Sequence, residues 1–320
     1  MKISKIAIPV LASAALTLSA CSGTGQESEG PTEETSGLTY AVITHSAPGD
    51  AFWDRVKSGV ERAGDDYGVT VGYSSDPDPA KQAALIDGAV ADDVDGIVVS
   101  MANPDGLEDS IKAAVAAGVP VVTINSGIDY WKEFGAITHV GQAESVAGEA
   151  VGERLADAGY DNVVCVIQEA GNIALEDRCA GVKKVIPNVE NLQVDGTDDN
   201  AVTATITSKL QSDDDVDAVV ALAGQIALDA VAAVEQAGTD TPVATFDLSE
   251  DVVNDIIDGK IEFAVDQQPF VQGYAAVTTL YLKSINGNDV GGGQPILSGP
   301  AFVTKENADA VLEYAKNGTR

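Results

Sequence analysis

Histidine, cysteine and basic residues are scarce in this chain, and each scarcity narrows what it can do. Of 320 residues, two are His and three are Cys. His45 and His139, with no CxxC pair, supply too few ligands at metal-binding spacing, so no metal and no cofactor is expected. Lys and Arg number 18 against 50 Asp and Glu, a formal net charge of −32. A surface this acidic repels nucleic acid and anions at long range and reads as a solubility or salt-adaptation signature. Aromatics make up only 5% while hydrophobics reach 45%, which suits an Ala/Val-rich α/β core. Beyond the amino terminus no stretch approaches eighteen uninterrupted apolar residues, so no helical membrane span is expected there. The chain also lacks GxSxG, HExxH, a P-loop and a GxGxxG after its first strand. Asp50, Asp247 and His45 carry no sequence signal of an acid/base geometry, and an enzyme is not expected.

What is present begins with an export signal. Lys2 and Lys5 precede an apolar and small-residue run, Ile6 to Leu18, too short for a permanent span. Leu18-Ser19-Ala20-Cys21 resembles the bacterial lipobox, which implies cleavage after residue 20 and a diacylglycerated Cys21. An ordinary secreted protein with an incidental cysteine is the alternative. Ser22 to Gly37 has no apolar residue, cannot bury enough surface to offset its ordering entropy, and reads as a flexible tether over 21–37. In the oxidising compartment that export implies, Cys165 and Cys179 remain as a disulfide pair or as two buried thiols.

From Leu38 the chain is long enough for two domains. Short β-branched runs alternate with helical patterns, which predicts parallel sheets covered by helices. Strands are expected at Leu38–Thr44, Thr70–Tyr73, Gly96–Ser100, Pro120–Ile124 and Ala136–Val140, with helices between them. Phe52, Val56, Val60 and Ala63 fall on one helical face, and Gly118 stands where a left-handed C-cap belongs. The rhythm then restarts, with strands at Asn162–Gln168, near Leu192–Val194, at Ala218–Leu222, Pro242–Phe246, Lys260–Val265 and near Ala301–Val303. Two successive βα arrays imply two similar lobes, although no residue-level repeat is evident.

In open α/β sheets, ligands bind beyond the carboxyl ends of the strands. The residues there are polar or aromatic: His45, Asp50, Phe52 and Trp53 after the first strand, and Asn125-Ser126 after the fourth. Gln142, Asp247 and Gln267 follow later ones. Asp50 is equally a helix N-cap and Phe52 equally a core residue, while a cap before Leu248-Ser249 is the alternative for Asp247. Trp53, one residue off the apolar stripe, is the stronger ligand candidate.

The chain resembles the ribose-binding family of solute-binding proteins, which have the type I periplasmic-binding fold. The likeness covers Leu38 to Lys316. It is carried by Asp50-Ala51-Phe52-Trp53, Gly96-Ile97-Val98-Val99-Ser100, Gly118-Val119-Pro120-Val121-Val122 and His139-Val140-Gly141-Gln142. Arg178 with Gly181, Thr245-Phe246-Asp247 and Asp266-Gln267-Gln268-Pro269 continue it in order. The resemblance implies two doubly wound parallel-sheet lobes, 38–141 plus 268–298 and 142–267 plus 299–320. Three hinge crossings would join them near Gly141, Gln267 and Ser298.

It further implies that Phe52 and Trp53 stack on a sugar ring while Arg178, Asp247 and Gln267 take its hydroxyls, as their fork of donors, acceptors and amide suit vicinal diols. A surface salt bridge is the plainer reading of Arg178. Asn125-Ser126 replaces the family's Asp-Arg pair, Ala223-Gly224-Gln225 replaces a binding Asn, and Asp198-Asp199-Asn200 replaces an aromatic. With His45 and Gln225 added to the site, another pentose, a hexose, a polyol or an inositol-like ligand is expected. The implied partners are that ligand and the permease subunits of an ABC importer, with membrane contact through a lipid anchor alone, no nucleic acid, and a monomeric state. The expected location is the outer face of the cytoplasmic membrane or the periplasm. A receptor for a sensor kinase or chemoreceptor, and a nucleoside- or autoinducer-type ligand, stay open.

Overall fold

The computed structural model describes residues 36–47 and 49–320; the expected export segment 1–20, Cys21 and the tether up to residue 35 lie outside the described residues. Runs such as Gly96–Ser100 and Val121–Asn125 are buried at every position, the pattern of parallel strands covered on both faces. They belong to the first lobe: β1 (Thr39–Thr44), α1 (Ala51–Tyr67), β2 (Thr70–Ser75), α2 (Pro79–Ala91), β3 (Gly96–Ser100), α3 (Pro104–Ala116), β4 (Val121–Asn125) and β5 (Thr138–Gly141). Each helix starts where a side-chain oxygen caps it: Asp50, Asp78 and Asn103 accept backbone N–H groups of α1, α2 and α3. Gly118 has the left-handed φ of +87° expected just past α3.

The second lobe repeats the order with α4 (Glu144–Ala158), β6 (Asn162–Ile167), α5 (Ile173–Val185), β7 (Asn188–Gln193), α6 (Asp199–Ser212), β8 (Ala218–Ala221), α7 (Gly224–Ala237), β9 (Val243–Phe246), α8 (Glu250–Asp258) and β10 (Ile261–Asp266). The chain then returns to the first lobe for α9 (Pro269–Asn286) and β11 (Ile296–Leu297). It ends in the second with β12 (Ala301–Thr304) and α10 (Ala308–Lys316). One sheet has the order β11-β5-β4-β3-β1-β2, the other β12-β10-β9-β8-β6-β7. The chain therefore crosses between sheets three times, after β5, after β10 and after β11.

Three details differ from the sequence reading. β7 spans Asn188–Gln193 in place of the short strand expected near Leu192–Val194. β11, two residues long and parallel to β5, is too short to show a periodicity. β12 runs antiparallel to β10, because β10 ends at the crossings while β12 begins there.

Alternate residues of each strand feed cores on opposite faces. Val98 and Val122 join the core beneath α1 and α9, whereas Ile97, Val99 and Val121 join the one beneath α2 and α3. The second lobe likewise has a core on each face. Glycine pairs let the inner helices approach closely in both lobes. A Cβ on Gly59 would run into the Phe270 carbonyl, and one on Gly148 into the Arg178 carbonyl. Among the described residues, no helix is long and apolar enough to cross a membrane.

Candidate functional site

The carboxyl ends of both sheets face one cleft of about 370 Å³ of space free of protein atoms. From the first lobe, β1 ends one residue before His45, whose Nδ1 lies 2.7 Å from Ser100 Oγ while its backbone N–H donates to the same oxygen. Burial holds the His45 pKa down at about 3, so the ring is neutral. Trp53 stands edge-on to His45, with centroids 4.8 Å apart, and to Phe52 at 5.1 Å. Phe52 is half-buried and Trp53 buried, and both line the cleft while packing on the first lobe's core. Asp50 fills both roles open to it: it caps α1 by accepting from Phe52 N–H at 2.9 Å and lines the cleft. Burial, reinforced by Glu169, pushes its pKa up to about 6 although the Phe52 N–H opposes this.

The second lobe contributes Gln168 and Glu169 beyond β6, Asn172 at the start of α5, Arg178 within it, and Asp247 beyond β9. Asn172 caps α5 and donates to Glu169 at 2.7 Å. Burial raises the Glu169 pKa. Arg178 is 2% exposed and is held by a buried partner, not a surface one: Nε and Nη2 reach the two oxygens of Glu144 at 2.6 and 3.1 Å. Nη1 donates to Leu222 O at 3.1 Å, and the guanidinium lies 4.5 Å over the Phe246 ring. Burial alone would lower its pKa, but Glu144 outweighs that and it is raised. Asp247 is pushed up to about 7 by burial, against the lowering effects of Arg178 and Gln267. It does not cap α8, a place taken by Ser249.

Gln267, from the crossing after β10, joins the two sides. Its Oε1 accepts from Asn125 at 3.2 Å and its Nε2 donates to Asp247 at 2.7 Å. Closer to the mouth, Ile173 N–H donates across to Ala102 O at 3.0 Å, and Glu169 Oε2 lies 3.9 Å from His45 Nε2. The described lobes thus face each other closed.

Eight of the ten ligand candidates read from sequence line this cleft: His45, Asp50, Phe52, Trp53, Asn125, Arg178, Asp247 and Gln267. Gln225 does not. Helix α7 starts at Gly224, which turns Gln225 outward to Asp229 of its own helix at 3.3 Å. Gln142 does not either; it is buried behind the cleft and donates to Glu144 at 2.8 Å. Gln168, Glu169, Asn172 and the buried Glu144 were not singled out in the sequence. Gln168 follows β6 as His45 follows β1, but extending that strand to residue 168 hides it. Cys165 and Cys179 form a disulfide that ties β6 to α5 beside Arg178. Among the described residues, no group of three or more His, Cys, Asp and Glu is placed to hold a metal ion.

Neutral ring, aromatic faces and a dense set of donors and acceptors can enclose a small polyhydroxylated molecule. Residues 40–288 match the periplasmic binding protein domain. The chain is 46% identical to a carbohydrate transporter of Acidothermus cellulolyticus 11B whose crystal structure contains myo-inositol, with a TM-score of 0.87 over 89% of this chain and all of that one. It is 28% identical to the fructose import binding protein of Bifidobacterium longum, covering 84% of this chain and 86% of that protein. The ribose import binding protein of Haemophilus influenzae is 27% identical, covering 83% and 90%.

Proposed function

The chain belongs to the periplasmic binding protein domain family, and from that membership we propose that it is the extracytoplasmic binding subunit of an ABC importer for a monosaccharide or polyol. The observation that carries this is the cleft itself: strand ends of two lobes place Trp53 and Phe52 beside hydrogen-bonding groups from both sides. C–H faces of a ring pack on the aromatics, while Arg178, Asp247, Asn125 and Gln267 take hydroxyls. The likeness to the myo-inositol complex favours a six-membered cyclitol or hexose first. Open lobes admit the ligand, and its added contacts in the closed state shift the equilibrium toward closure. Closure then presents a composite surface of both lobes to the permease. Lipid attachment at Cys21 would keep the subunit at the membrane, since two acyl chains suffice for stable anchoring.

The test is a thermal-shift screen with pentoses, hexoses, polyols, inositols, nucleosides and amino acids. A ligand at 100 times its Kd stabilises the fold by about 2.7 kcal/mol. Stabilisation by sugars or polyols supports the reading. Stabilisation confined to nucleosides or amino acids would replace the ligand class. Trp53→Ala with unchanged affinity removes the stacking role.

A further inference from the structure

Glu144 does not line the cleft, yet both of its oxygens are spent on the guanidinium that does. It is 3% exposed, stands in the first turn of α4 immediately after the crossing from β5, and takes a further hydrogen bond from Gln142. An acid in the first helical turn is favourable on its own account, but that needs no buried fork. The fork matters because the Nε–Nη2 edge is one of the two guanidinium edges that grip a carboxylate or phosphate in parallel. Here that edge is already filled. With Nη1 also on Leu222 O, Arg178 keeps one further N–H on each Nη nitrogen for the cleft, donors whose pull on an anion is weakened by the Glu144 charge beside them.

The charges around it point the same way. The cleft wall carries three carboxyl groups, Asp50, Glu169 and Asp247, and Arg178 as its basic group, while His45 is neutral. Arg55, behind the wall on α1, is engaged with Ala51 O and Arg320 O. We propose that Glu144 is a specificity-determining residue: by cancelling the Arg178 charge and filling one of its two forks, it makes the cleft accept a neutral polyol and refuse the carboxylate or phosphate form of the same molecule. Burial raises the Asp247 pKa to about 7; Arg178 opposes the rise, while Glu144 adds to it.

The proposal rests on the polyol reading, and the experiment separates the two. Isothermal titration of the full chain uses matched pairs: D-galactose and D-galacturonate, D-glucose and D-glucuronate, myo-inositol and myo-inositol 1-phosphate. The wild type is expected to prefer the neutral member by at least 100-fold. Glu144→Gln should cut that ratio at least tenfold, with the anionic member gaining in absolute affinity, and Glu144→Asp should keep the ratio. If Glu144→Gln is unfolded alone, the uncompensated arginine is the cause, and the anionic member should restore a cooperative melt. A wild type that takes both members within tenfold overturns the proposal. So does a folded Glu144→Gln with an unchanged ratio, or an unfolded one that no anion rescues. Wild-type protein that binds no neutral member, nor any pentose, hexose or polyol of the thermal-shift screen, overturns the polyol reading as well.

Discussion

Asn125 and Asp247 occupy the same place in the two lobes and are tied together through one side chain. Asn125 closes the run Val-Val-Thr-Ile-Asn of β4, and Asp247 directly follows the run Val-Ala-Thr-Phe of β9. Both have left-handed backbones, with φ of +62° and +70°, a conformation that Asn and Asp adopt more readily than other side chains. The turn lifts each off its strand end, and Gln267 accepts from one and donates to the other.

Gln267→Leu keeps volume but leaves both partners without that bond. Ligand affinity is expected to fall at least tenfold, and stability by about 1–3 kcal/mol for the stranded polar groups. Titration calorimetry and urea unfolding check the two effects. Full affinity in a folded variant would show that the amide only joins the lobes.

Asp247→Asn changes the pH dependence of stability in a direction fixed by linkage. Asp247 is raised from 3.8 to about 7 in the fold, so its stabilising protonation is complete below about 4 and is lost as pH rises through 7. His45 and His139 are depressed from 6.5 to about 3; their contribution is present above 6.5 and is lost as pH falls through 3. In the wild type the carboxyl and imidazole effects oppose each other between pH 4 and 6.5. The Asn variant keeps the imidazole effect without this offset. Its stability relative to wild type should therefore drop on going from pH 8 to pH 5, by about 3 kcal/mol at roughly 1.4 kcal/mol per pH unit. Thermal melts at both pH values read this, and a constant difference would place the Asp247 pKa near its ordinary value.

The Cys165–Cys179 bridge closes a short loop between β6 and the helix bearing Arg178. Replacing both with Ala should cost about 3 kcal/mol by chain entropy, before any packing loss. Both residues are fully buried, so mild reductant without denaturant should leave the melting temperature unchanged over minutes. The double variant should melt lower and bind ligand more weakly. An unaltered melting temperature would mean that packing alone holds α5 on β6.

Much of this arrangement was readable before the structure because parallel strands and covering helices impose different periods on the sequence. The strand-end rule then reached residues such as His45, Asn125 and Asp247. It failed where a boundary moved by one residue, as at Gln168, or where the helix began at once, as at Gln225. Glu144 was beyond reach for another reason: an acid in a first turn is ordinary, and its pairing with a residue 34 positions away leaves no local pattern. The matching ends of β4 and β9 emerged as a repeat only once the two sheets were placed side by side.

Arg320 links the lobes behind the cleft. Its guanidinium pairs with Asp266 Oδ2 at 2.6 Å at the end of β10, and its carbonyl accepts from Arg55 Nε of α1 at 2.8 Å. Asp266 is 1% exposed and Arg55 is 8% exposed, while the Arg320 side chain is one-third exposed, which discounts the ion pair for solvent screening. Opening about the crossings would draw α1 away from β10, so the Arg55 contact favours the closed state, and the Asp266 pair holds the acceptor in place. Arg320→Ala should then favour opening by about 1 kcal/mol and raise the ligand Kd about fivefold. Lys316→Ala, which removes only the exposed pair with Glu250, should leave Kd unchanged. Titration of both variants decides the matter: equal affinities in the two would make the Arg320 contact a passive consequence of closure, whereas a loss confined to Arg320→Ala makes it one of its causes.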